Sequence, residues 1–391
     1  VSKKEKENKA VDDFTSQLIK DINKEMGLRV AYNLSEAEAP TIVKRWLDTG
    51  SVQLNYAIRN AAGGGYPEGR VIEISGLPSS GKSHLAYNAA SYVQSLGGLV
   101  VYIDTENATP VDKLAKMGVD VSKRFVYVDT HCTEEVFHIM ESTIEKAKQI
   151  IDKNVPILVI WDSVAATSPK AELEGEYDKD TMGLQARVIA KCMRKISGVL
   201  AKNNITLICI NQLKTSIGVM HGDPNFVPGG RAIPFHASVR IRLGSGSPVK
   251  DKAGNEIGIK VTVNIKKNKV APPFQKFEFK ILFGVGIDEN EELFDVLRAY
   301  CDKNSVVHNN QKLSISGDGG WKKLEVVNVQ TGEEILSKSF RKDEFDQIRK
   351  DPLYKTYIEK IIDTALTKQF GSPASDDEES ESDDQDEVVS E

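Results

Sequence analysis

Cysteine is scarce and scattered: Cys132, Cys192, Cys209 and Cys301 are the only four in 391 residues, and no two stand at the short spacing of a zinc site. They read as buried free thiols of a reducing compartment, which excludes a disulfide framework. Long apolar runs are lacking as well, and none approaches the length of a membrane-spanning helix. The opening stretch "VSKKEKENKAVDDF" has charge but no apolar centre of a secretory signal. The expectation is a cytoplasmic protein with no membrane partner. With 40% hydrophobic and 28% charged residues, the composition is that of a globular chain long enough for two or three domains.

Bases are missing from the end of the chain. The last sixteen residues, "DDEESESDDQDEVVSE", hold ten acids and no Lys or Arg, so the net charge of −6 belongs to them. Without them 51 bases face 47 acids, and the body is mildly basic. Such a block cannot bury itself, and residues 371–391 read as a disordered acidic tail. It is either a solubilising segment or a phosphate mimic that competes for the cationic surface of the body.

Within residues 1–49, Val11, Phe14, Leu18, Ile22 and Met26 share one helical face, with Gly27 as a stop. From about residue 50, short apolar runs alternate with helical patterns: "GRVIEIS", "GLVVYID", "VPILVIWD" and "NITLICIN" suit buried parallel strands. This rhythm predicts an α/β core with a mostly parallel sheet over 50–287. Three more strands follow, "ASVRIRL", "KVTVNIK" and "KFEFKILFG". After residue 288 the pattern changes to a small α+β unit over 288–370, whose role the chemistry does not declare.

The sharpest signal is "GLPSSGKS", namely Gly76, Leu77, Pro78, Ser79, Ser80, Gly81, Lys82 and Ser83. It matches G-x-x-x-x-G-K-[ST] between a strand and a helix, where backbone N–H groups and the helix N-terminus cradle phosphates. Lys82 would neutralise the β- and γ-phosphates, and the Ser83 hydroxyl would ligate Mg2+. ATP and Mg2+ are therefore the expected ligands. Asp162 ends the strand "ILVIWD", where an open α/β sheet places ligand groups, and it would steady the metal. Asp104 and Glu106 in "VYIDTEN" are both candidates for the base that orients an attacking water, and the pattern does not choose between them. Gln212 closes another strand, either as a loop cap or as a sensor of the γ-phosphate. Trp161 reads as core packing.

Two long stretches, "EGEYDKDTMG" (174–183) and 213–232, mix glycines, apolar residues and cations. Long irregular loops in compact domains are usually functional. Such loops engage unstacked bases and backbone phosphates, or form a lid over the nucleotide. The helix between them carries Arg187, Lys191, Arg194 and Lys195.

"SPKAELEGEYDKDTMGLQAR", "INQLKTSIGVMHGDP", "IPFHASVRIRL" and "KKNKVAPPFQKFEFKILFGVGI" together resemble the RecA family of homologous recombinases, over about residues 50–287. Phage recombinases of the UvsX type are similar, but the loop after Gln212 is closer to the bacterial pattern. The resemblance implies a RecA-type P-loop ATPase fold. It selects Glu106 as the catalytic glutamate and Gln212 as the γ-phosphate sensor. It places Met182, Arg187, Lys214, Ile217 and Arg231 in or beside the two loops that meet DNA, Phe235 at a subunit interface, and the helix at 11–26 on a neighbouring protomer.

In "IKKNKVAPPF" the resemblance gives Lys267 and Lys269 the role of charges reaching the ATP of an adjacent subunit, and leaves Lys266 to solvent. On the residues alone, a solvated cationic strand end would be preferred. The chain departs from the family after Glu106, where "NATPVDKLAKMGVD" offers no clear adenine-stacking tyrosine, and at Phe283, where the family often has a tyrosine. The implied partners are single-stranded DNA, a homologous duplex, and further copies of the chain in a helical filament. The expected reaction is DNA-stimulated ATP hydrolysis coupled to strand exchange. A hexameric ring motor of the same superfamily and a non-catalytic ATP-gated DNA-binding protein are the alternatives.

Overall fold

The computed structural model describes residues 3–35, 39, 41–150, 152, 154–176, 183–215, 225–244, 246–303, 307–308, 311–317 and 320–371. Nine strands form the central sheet: β1 (Val71–Gly76), β2 (Leu99–Asp104), β3 (Phe125–Asp129), β4 (Ile157–Asp162), β5 (Ile205–Gln212), β6 (Val239–Leu243), β7 (Ser247–Lys250), β8 (Glu256–Asn268) and β9 (Lys276–Leu282). Their order is β7-β8-β6-β1-β5-β4-β2-β3, with β9 on the free side of β8. The six strands from β6 to β3 are mutually parallel.

The apolar runs are continuous because both faces of this sheet are covered. Ile72, Ile74, Tyr102, Leu158, Ile160, Ile208 and Ile210 pack on one side with Leu85, Ala89 and Val93 of helix Lys82–Ser95. On the other, Val71, Val101, Ile103, Val159, Trp161, Leu207 and Cys209 meet the helices Thr133–Ile150 and Leu184–Lys202. Trp161 is fully buried there, edge-on to Phe137 with ring centroids 5.5 Å apart.

The parallel register aligns the carboxyl ends of the strands. Gly76 lies opposite Gln212 and Leu243, and Asp104 lies opposite both Asp162 and Asp129. Chemistry-bearing residues far apart in sequence are thereby brought to one edge.

Strand β8 is longer than its sequence pattern suggested, and it contains a bulge. Arg240 pairs with Lys267 and Ile241 with Ile265, so Lys266 has no opposite number. Val261, Val263 and Ile265 keep to the core face, but the extra residue turns Lys267 to the face of Arg240. Lys266, at the bulge, is half-buried.

Beyond β9 lie the helix Glu289–Lys303, an antiparallel sheet built on Gln311–Ser316, Trp321–Asn328 and Glu334–Arg341, and the helices Phe345–Lys350 and Pro352–Phe370. Phe294, Phe340 and Phe345 form an aromatic cluster in its core, continuous with the core under the central sheet. A buried carboxylate also links the two parts. Glu292 accepts hydrogen bonds from Ser51 Oγ at 2.6 Å, Val52 N at 2.8 Å, Gln53 N at 3.3 Å and Gln53 Nε2 at 3.3 Å, at the start of helix Val52–Arg59. Burial outweighs these donors and pushes its pKa up to about 7.

The first helix, Lys3–Met26, ends at Gly27 in the left-handed region, as the sequence indicated. Asn23 then accepts from Val30 N and Ala31 N and folds the following chain back. Val11, Phe14, Leu18 and Met26 on this helix are all exposed.

Candidate nucleotide site and nucleic-acid loops

The loop Gly76–Ser83 joins β1 to the helix Lys82–Ser95, and its shape depends on backbone freedom. Gly81 has φ +92°, and a Cβ there would lie 2.3 Å from Ile281 Cδ1 of β9. Ser79 also adopts a left-handed φ of +60°. Pro78 and Ser79 are exposed, Leu77 and Gly81 half-buried, and Ser80 buried. Gly81 supplies no side-chain cap, so the first N–H groups of a 14-residue helix are left to an anion. Lys82 Nζ donates to Leu77 O at 2.8 Å, within the loop it would share with a phosphate. Burial lowers its pKa, opposed by the negative charges of Asp162 and Glu106.

Ser83 Oγ donates to Asp162 Oδ2 at 2.8 Å, and Tyr102 OH donates to the same oxygen at 2.6 Å. The residues expected to hold the metal therefore touch. A hydroxyl and a carboxylate side by side are the hard oxygen donors that suit Mg2+. Burial raises the pKa of Asp162, as do the charges of Glu106 and Asp104, against the two hydrogen bonds.

Glu106 lies exposed on the turn after β2, and its Oε1 accepts from Ser163 Oγ and from Gln212 Nε2, the latter at 2.7 Å. The turn is held by Asp104, which is buried and accepts from Glu106 N, Thr109 N and Tyr127 OH. Burial presses Asp104 upward, but these donors, with the Thr109 hydroxyl, outweigh it and hold it below the usual carboxylate range. Asp104 is thus committed to the scaffold and Glu106 is the available carboxylate.

A cavity of about 530 Å³ adjoins the loop, lined by His84, Lys113, Met117, Ile281, Phe283 and Val285 among others. Phe283 is exposed at its mouth. Lys113, from the stretch that departs from the family, approaches the Tyr87 ring at 5.8 Å.

Of the expected DNA contacts, Arg187, Lys214 and Arg231 are exposed, while Met182 and Ile217 lie outside the described residues. On helix Leu184–Lys202 the buried stripe Ile189, Met193, Ile196 and Leu200 leaves Arg187, Lys191, Arg194 and Lys195 outward. Lys195 is paired there with Glu141 at 2.7 Å. Lys214 and Thr215 pair antiparallel with Phe226 and Asn225, bracketing the second loop at its base directly after Gln212. Gly229 and Gly230, both with positive φ, then lead into Arg231 and the short helix Ala232–His236. Phe235 projects from it, 73% exposed.

Lys267 and Lys269 stand apart from the chain's own phosphate loop. Lys267 Nζ donates to Pro234 O and Phe235 O, each at 2.8 Å, and Lys269 is exposed. Burial lowers the pKa of Lys267, reinforced by Lys269 and Arg240 and opposed by Glu73.

Sequence reasoning missed Tyr102 and Ser163, which donate to Asp162 and Glu106, and His131, which contacts Thr105 and Asn107 on the turn. Only the proximity of Ser163 to Asp162 in the chain could have flagged one of them.

The family described as the RecA N-terminal domain matches residues 14–288. A curated Protein RecA of Bacteroides thetaiotaomicron is 43% identical over 251 residues, covering 64% of this chain and 72% of the relative. Protein RecA of Staphylococcus aureus (strain JH9) is 38% identical over 290 residues, covering 74% of this chain and 78% of the relative. The chain belongs to the RecA family of recombination proteins.

Proposed function

We propose that this chain is a DNA-dependent ATPase that assembles head to tail on single-stranded DNA and pairs it with a homologous duplex. The observation that carries this reading is the convergence of Glu106, Gln212 and Ser163 beside the Ser83–Asp162 pair at the mouth of the phosphate loop. ATP would lie on the N–H groups of Gly76–Ser83, with Lys82 leaving its carbonyl partner for the phosphates. Ser83 and Asp162 would hold Mg2+, which when bound neutralises charge on the β- and γ-phosphates. Glu106 would orient the attacking water. Its Oε1 accepts from the Gln212 amide. A γ-phosphate attracting that amide would free the carboxylate and pull on Lys214, two residues on, at the base of the second loop.

Lys267 and Lys269 would supply positive charge to the ATP of an adjacent protomer, since in this chain they face the carbonyls of residues 234 and 235 and solvent. Phe235 and the exposed apolar face of the first helix would bury themselves in the same head-to-tail contacts. An interface of that type whose rotation does not close yields an open helix. Residues 1–49 would dock protomers, 50–287 bind ATP and DNA, 288–370 form a separate α+β unit, and 371–391 regulate duplex access. A cytoplasmic location accords with this role. No observation favours the ring motor.

The test is ATP hydrolysis with and without single-stranded DNA, with electron microscopy of the protein in a non-hydrolysable ATP analogue. Stimulation and open helical filaments are expected. Closed rings would replace this reading with the motor, and DNA-independent turnover by monomers would remove it.

A further inference from the structure

We propose that His131 is a positioning residue for Glu106. The inference rests on the reading of Glu106 as the group that orients water. His131 follows β3, and its backbone is fixed on both sides. Ser168 N donates to His131 O at 2.9 Å, Thr133 N donates to Ser168 O at 2.9 Å, and Cys132 bridges Ser168 in parallel. A ring carried on so constrained a backbone has a defined direction. Its Nδ1 lies 2.8 Å from Thr105 O. A carbonyl only accepts, so Nδ1 carries the proton toward Thr105. Nε2 lies 3.5 Å from Asn107 Nδ2.

Thr105 and Asn107 are the two neighbours of Glu106, so one imidazole grips the turn on both sides of the carboxylate. Asn107 has φ +52°, a left-handed conformation that asparagine adopts more readily than other non-glycine residues, and the ring contact adds to the hold on the turn. On the inner side the turn is fixed by Asp104 and by the reciprocal hydrogen bonds of Thr105 Oγ1 with Ser163. On the outer side the ring supplies the restraint. Asp129 lies 4.0 Å from Nε2. The ring is half exposed and contributes no apolar core, so a structural role is small.

The test compares His131→Leu, His131→Asn and His131→Gln in the full chain, saturated with single-stranded DNA, with Glu106→Gln alongside. The side-chain amide nitrogen of Asn falls near the place of Nδ1, whereas that of Gln falls near Nε2. His131→Leu should lower kcat by about tenfold, as slight misplacement of a reacting group does, with KM for ATP within about twofold. Filaments in the non-hydrolysable analogue should form as in the wild type. His131→Asn should recover most of kcat and His131→Gln should not. Wild-type turnover by His131→Leu, equal loss in the Asn and Gln variants, or a parallel loss of filament formation would overturn the assignment. Full activity in Glu106→Gln would remove the underlying reading and the proposal with it. That result is separable from one in which Glu106→Gln is inactive and His131→Leu is not.

Discussion

Asp162 carries two hydrogen bonds and a charge, and a substitution separates them. In Asp162→Asn the carboxamide oxygen still accepts from Ser83 and Tyr102, but the negative charge that would hold a cation is gone. Hydrolysis should fall by about two orders of magnitude or more in a steady-state ATPase assay. Stability in urea should change by only about 1 kcal/mol, because the buried partners remain satisfied. A loss of several kcal/mol would mean that the charge serves the fold. At this scale the phosphate loop was legible because every residue in it is used by its own backbone neighbourhood, so spacing alone encodes it. Asp162 and Gln212 were legible as strand ends. His131 and Tyr102 were not. Each acts through a hydrogen bond to a residue 26 or 60 positions away, and no local pattern reports such a meeting.

The strand β8 shows what alternation conceals. A period of two predicts the faces of Val261, Val263 and Ile265 correctly, but one inserted residue reverses the phase for everything after it. The face on which Lys267 emerges is therefore set by the bulge at Lys266, which only the register reveals. If the charge of Lys269 acts on the next protomer, as proposed, Lys269→Ala should suppress DNA-stimulated hydrolysis by about tenfold or more while nucleotide affinity of dilute monomers stays within about twofold. Equal loss of monomer affinity, measured by titration with a fluorescent ATP analogue, would place the lysine in its own chain's site. The helix Lys3–Met26 offers the parallel case for a helix. Its amphipathic spacing was plain in the sequence, yet the exposed Phe14 and Leu18 show that the periodicity describes a surface left uncovered by the described residues. Phe14→Glu with Leu18→Glu should abolish large assemblies in sedimentation while the thermal transition of the monomer moves little. A collapse of that transition would make the helix part of the protomer's own fold.

At the scale of the molecule, the parallel sheet was readable from the repeated apolar runs, but the continuity of its core with that of residues 289–370 was not. Glu292 is the reason to expect pH dependence of that joint. Its pKa is raised from 4.5 to about 7 by burial, so the folded state holds the proton more tightly than the unfolded chain. Its contribution to stability is then fully present below about 4.5 and is lost as pH rises through about 7. Relative to Glu292→Gln, the wild type should lose on the order of 3 kcal/mol across that window in urea titrations. Parallel curves for the two proteins would show that the four donors keep the carboxylate ionised throughout. The central sheet has a further property at this scale. Among the described residues, one margin is β3, paired as a strand only with β2, and the other is β9, paired as a strand only with β8 and folded against the phosphate loop through Ile281. The two margins share neither residues nor chemistry. Copies joined head to tail, as proposed, would present two unlike surfaces at the two termini of the assembly, so subunits should join and leave them at unequal rates, giving the assembly a growing direction.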